Sequence, residues 1–220
     1  MRRSAVLTLM VLTVAAALAG CAPTAEFYNE QGLESFAARD YTRARAAFGE
    51  AVELRPDVAS YQFNLGAAHQ AVGDLDKAIY HYNRAVMIHP GLFKAYANMI
   101  RCYEAQGREE QVRATYERAC QANPMSAIPY YHYALWHLGR GDTANAEQWF
   151  RKAVATNPND AQANYLMGEF LINQGRRDEG LPYYHRAREI QPLHPELIEP
   201  LGGSEPVPIR ATPAANEGSQ

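Results

Sequence analysis

The chain is 220 residues long, with 47% hydrophobic, 20% charged and 10% aromatic residues, enough for one or two packed domains. A net charge of −3 argues against a nucleic-acid binder, and three cysteines without a C-x-x-C pair exclude a disulfide-dense scaffold and a cysteine zinc site. Fifteen Gly and 13 Pro are too few for a collagen-like or wholly disordered chain.

Residues 1–20 read as an export signal and are set aside before any argument about fold. Arg2 and Arg3 provide a positive start, and Ala5 to Ala19 form an uncharged apolar run. That run is shorter than the roughly 20 residues a membrane-spanning helix requires. It ends in Leu18-Ala19-Gly20-Cys21, which resembles the lipobox of bacterial lipoproteins. The resemblance implies cleavage before Cys21, a diacylglycerol on its thiol and a fatty acyl chain, palmitate in class, on the new amine. An ordinary secretory signal with an incidental cysteine is the alternative. Ala22, rather than Asp, follows the cysteine, which favours the outer membrane facing the periplasm over retention at the inner membrane. Residues 21–24 form a tether whose three residues after Cys21 reach about 10 Å. The signal holds two Arg and no acid, so the body is more acidic than the whole chain. Nothing in that balance draws it to anionic lipid, and its membrane contact is expected from acyl chains alone.

Beyond the tether a period of 34 residues organises the chain. Pro56, Pro90, Pro124, Pro158 and Pro192 recur at that spacing, as do Ala51, Ala85, Ala119, Ala153 and Ala187, and the aromatics Phe48, Tyr82, Tyr116, Phe150 and Tyr184. Small residues recur at Gly32, Gly66, Ala134 and Gly168, where Ile100 is the exception. They recur again at Ala44, Ala78, Ala146 and Gly180, where Val112 is the exception. Turn signals split each unit at Arg39-Asp40, Gly73-Asp74, Gly107-Arg108, Gly141-Asp142 and Gly175-Arg176. Within each half, apolar residues at three- and four-residue spacing mark one helix face. Gly ends the first helix, Asp caps the second, and Pro stops it.

This pattern resembles the tetratricopeptide repeat (TPR), a helix-turn-helix unit of 34 residues. The resemblance implies an all-α, right-handed TPR solenoid of five repeats: 25–58, 59–92, 93–126, 127–160 and 161–194. The first repeat lacks the consensus Leu-Gly pair and has Ser35 at an aromatic position, as a terminal repeat would. Ile100 and Val112 should hold the third helix pair wider, and Pro182 is expected in the first turn of the last repeat's second helix. Residues 195–203 are expected to form a short C-terminal cap, and the Pro-, Ala- and Glu-rich segment 204–220 to be disordered.

No catalytic or cofactor motif is present, and no metal site or cofactor is expected. His69 and His137 occupy one repeat position normally held by an aromatic and read as core residues. Cys102 and Cys120, at the tenth and twenty-eighth positions of the third repeat, are about 9 Å out of register for a bridge and read as buried free thiols.

The resemblance further implies a concave groove lined by the first helices, at repeat positions that include the fifth, sixth and ninth. The candidate partner-binding residues are Phe63, Asn64, Asn98, Arg101, Tyr131, His132, Tyr165 and Glu169. Asn64 and Asn98, one period apart, resemble the asparagine ladders that hold a peptide backbone in some TPR grooves. Bonding only to neighbouring helices is the alternative. The Lys and Asn set of the chaperone-type carboxylate clamp is absent. The expected function is a lipid-anchored, non-enzymatic scaffold that binds a protein or peptide, with no nucleic acid involved. Assembly lipoproteins of Flp and type IV pili are similar in build at repeat level, and an adaptor for a cell-wall enzyme or a stress response is the alternative.

Overall fold

A left-handed residue midway through each unit and a proline at its end set the helix boundaries. The computed structural model describes residues 23–191, and these hold ten α-helices and no strand. In chain order they are α1 (Ala25–Ala37), α2 (Tyr41–Leu54), α3 (Ala59–Ala71), α4 (Leu75–Ile88), α5 (Phe93–Ala105), α6 (Glu109–Ala122), α7 (Ile128–Gly139), α8 (Thr143–Thr156), α9 (Ala161–Asn173) and α10 (Arg177–Ile190). Consecutive pairs form the five expected hairpins. The signal, Cys21, the C-terminal cap and the tail lie outside the described residues.

Four of the five intra-repeat turns pass through a glycine with positive φ: Gly73, Gly107, Gly141 and Gly175. The first turn uses Arg39 at φ 59°, which an L side chain adopts only at a cost. Where Asp follows the turn, it caps the next helix. Asp40 accepts from the backbone N–H of Arg43 at 3.0 Å, and Asp142 from that of Asn145 at 3.2 Å. Arg108 and Arg176, at the same position, make no side-chain cap.

Small residues let the paired helices touch. A Cβ on Gly168 would stand 3.0 Å from both the Gly180 carbonyl oxygen and the Tyr184 nitrogen, so that pair packs backbone to backbone. Ile100 and Val112 fill this space in the third hairpin, and its two backbones run close over a shorter stretch. Pro182 departs from expectation: it is the sixth residue of α10 and so lies in the second turn. There its missing N–H removes a bond that an ordinary residue would make, and the helix continues past it.

The described residues divide into two compact units, the first ending at Ile88 and the second starting at His89. The first holds the two N-terminal hairpins, with Phe36, Ala44, Phe48, Leu65, Ala67 and Ala68 as one core cluster. The second holds the other three, and its core is aromatic. Tyr116 and Tyr133 stack at 4.8 Å, and Trp149 lies 4.6 Å from Tyr133.

Candidate functional site

The eight residues assigned to the inner face fall into packing residues and residues still accessible to a partner. Phe63 and Asn64 belong to the first group. Phe63 is 1% exposed, and its ring lies 5.4 Å from that of Tyr82 inside the second hairpin, which removes it from the set offered to a partner. Asn64 is fully buried and donates from Nδ2 to Oδ1 of buried Asn29 at 2.9 Å. Asn29 belongs to α1 and Asn64 to α3, so this amide bonds a neighbouring helix. Asn64 and Asn98 lie in different units.

In the second unit, α5, α7 and α9 supply the remaining residues. Asn98 is buried, and its Oδ1 accepts from Nη2 of half-buried Arg101 one turn later. The amide thus aims a guanidinium. His132 on α7 is 8% exposed and stacks on Phe93 of α5 at 5.1 Å and 20°, with Tyr131 at 4.8 Å. Burial pulls its imidazole down to about 4, so it is neutral at pH 7, and its buried Nδ1 has no partner among the described residues. Half-buried Tyr131 also packs against the clusters around Tyr133 and Leu166, which ties it to two repeats. Tyr165 is half-buried with its ring 5.1 Å from Tyr184, and Glu169 follows it one turn along α9. The structure therefore brings together Asn98 with Arg101, and Tyr131 with His132.

Two further residues were not among the named candidates. Phe93 starts its helix where the other four repeats have Ala25, Ala59, Ala127 and Ala161, and that break in the pattern was the available signal. Gln162, near the start of α9, has both amide atoms buried without a partner among the described residues.

Other features are structural. His69 and His137 are buried, and each faces the aspartate after its turn: His69 Nδ1 at 3.4 Å from Asp74, and His137 Nδ1 at 3.0 Å from Asp142. His69 also stacks on His81 at 5.4 Å, and His81 bonds Gln62 at 2.9 Å. Cys102 and Cys120 are free and buried, and burial pushes both thiols up to about 12, which keeps them protonated and unreactive. Among the described residues no group of three or more His, Cys, Asp or Glu is placed to hold a metal, and no helix is long and apolar enough to cross a membrane.

Comparison with known proteins fits this architecture. Tetratricopeptide-repeat family models match residues 29–93 with one profile, and 69–135 and 137–198 with another. A search of curated proteins finds no match to the sequence. Among solved structures, a MamA protein aligns over 76% of this chain and 92% of its own, at 20% identity and a TM-score of 0.54. MamA from Desulfovibrio magneticus RS-1 aligns over 78% and 97%, at 15% identity and a TM-score of 0.54. TTC0263, a thermophilic TPR protein of Thermus thermophilus, aligns over 77% and 93%, at 20% identity and a TM-score of 0.51. These likenesses concern the fold. The second profile alone spans more than half of the residues. The chain belongs to the tetratricopeptide-repeat family, all-α scaffolds for protein–protein interaction that are generally not enzymes.

Proposed function

We propose that this protein is a lipid-anchored scaffold of the bacterial envelope that holds a partner segment against the inner face of its second unit. The observation that supports this reading is the set of partly accessible side chains, Arg101, Tyr131, Tyr165 and Glu169, on the first helices of that unit. Arg101, aimed by Asn98, offers a cation for an acidic residue, and Tyr131 and Tyr165 offer half-exposed rings for apolar side chains. Anchoring through Cys21 rests on the lipobox resemblance, and assembly of a pilus or secretion-type complex is the favoured role.

The test is crosslinking in the native envelope followed by co-purification, comparing wild type with Arg101→Ala/Tyr131→Ala/His132→Ala. Loss of a specific crosslinked partner with helix content retained supports the inner face. Unchanged recovery moves the binding site elsewhere. For the anchor, Cys21→Ala should leave the precursor uncleaved or release soluble protein. Wild-type protein found in the aqueous layer of a detergent phase separation would remove the lipoprotein reading.

A further inference from the structure

One position of the first helix behaves differently in the first repeat. In later repeats the third repeat position is buried: Tyr61 packs with Ala25 and Ala51 of the repeat before it, and Ala95, Pro129 and Ala163 are likewise covered. In α1 this position holds Phe27, which is 38% exposed. One and two turns further along the same face stand half-buried Gln31 and exposed Glu34, where other repeats bury Leu65, Met99 and Tyr133, or Ala68, Cys102 and Trp136. The outer face of α1 therefore grades from apolar at its N-terminal end to acidic at its turn. Because the helices of the hairpin run antiparallel, the last residue of α2 lies at the apolar end, and that residue is Leu54, 50% exposed. Thr24 Oγ1 accepts from the Phe27 backbone N–H at 3.2 Å, which fixes this first turn to the end of the tether.

We propose that the Phe27–Leu54 end of the first hairpin rests in the bilayer interface, with Gln31, Glu34 and the Arg39 turn pointing away from the membrane. This rests on the lipid-anchor reading of Cys21. Three residues between Cys21 and α1 can reach at most about 10 Å, so acyl chains in the bilayer would hold this end of the hairpin near headgroup depth. Aromatic and aliphatic side chains are stabilised there, and the tether makes even a weak preference effective by raising the local concentration. Glu26 and Glu53 are exposed at the same end and Arg55 there is paired with Asp57 at 2.9 Å, so anionic lipid adds no net attraction. The acyl chains supply affinity, and Phe27 with Leu54 sets orientation. A protein helix docked along the whole face would have to bury the Glu34 carboxylate, which disfavours that occupant.

The experiment places p-benzoylphenylalanine at position 27 or at position 34 of the full mature chain, purified with its lipid and reconstituted in phosphatidylethanolamine/phosphatidylglycerol vesicles. Irradiation should give a phospholipid adduct at 27 that is lost at 34. Intact-mass measurement of Cys21 and vesicle flotation separate the two layers of the argument. A lipidated, floating protein without a lipid adduct at 27 overturns the inference and leaves the anchor standing. Equal lipid adducts at 27 and 34, or a protein adduct at 27, overturns it as well. An unmodified Cys21 overturns the anchor and the inference together.

Discussion

The Nδ2 of Asn64 donates to the Oδ1 of Asn29 at 2.9 Å, joining the first helices of two consecutive repeats through side chains that are both buried. The residues occupy neighbouring repeat positions, sixth and fifth. Removing one amide strands the other. Asn64→Ala should therefore cost about 1–3 kcal/mol. Asn29→Ala/Asn64→Ala should cost less than the sum of the single changes, because the stranded group is removed too. Denaturant unfolding of the four proteins checks this, and strict additivity would count against the bond.

Close approach of helix backbones predicts opposite outcomes for two glycines. At Gly168 a methyl group would meet the Gly180 carbonyl and the Tyr184 backbone at 3.0 Å, neither of which yields without moving α10. Gly168→Ala should destabilise by about 1–3 kcal/mol. Gly49, inside α2, has nothing within 4 Å of a built Cβ. Gly49→Ala should stabilise by up to about 1 kcal/mol through helix propensity. Melting temperatures that move in opposite directions are expected.

Two backbone features should be improvable. Pro182 is exposed and interrupts the hydrogen bonds of α10 at its second turn, so Pro182→Ala should add about 1–3 kcal/mol. Arg39 holds φ 59° where the other turns use glycine, and Arg39→Gly should add about 1 kcal/mol. Calorimetry of each variant measures both, and a fall in stability for Arg39→Gly would mean that the side chain's interactions outweigh the strain.

Acid sensitivity follows from three imidazoles. Burial lowers His132 to about 4, and burial with the nearby His69 and Arg84 charges lowers His81 to about 4. Burial also lowers His69, against the opposing pull of Asp74. His132 and His81 stay neutral in the folded chain until near pH 4, while the unfolded chain takes up a proton near 6.5. Their contribution is thus fully present above about pH 6.5 and is lost as pH falls towards 4. His132→Phe keeps a ring against Phe93 and should flatten the decline in melting temperature between pH 6.5 and 4.5. An identical slope would place the proton uptake elsewhere.

Helix boundaries, turn positions and the free state of Cys102 and Cys120 were legible in the residues, because the 34-residue period encodes contacts within one hairpin. There, chain separation is short and the partner position is constant. Pro at the end of a unit, Gly at its turn and small residues at the contact act locally, whatever stands beyond. Exposure at the fifth and sixth positions was not legible in this way. It depends on what the adjacent repeat places opposite, and that changes from Asn29 beside Asn64 to Phe93 beside His132. Only tertiary structure decided that Asn64 bonds Asn29 and that Phe93 stacks on His132. The physical reason is that a side chain's partner across a repeat boundary is set by packing between helices far apart in sequence, which the repeat consensus does not specify.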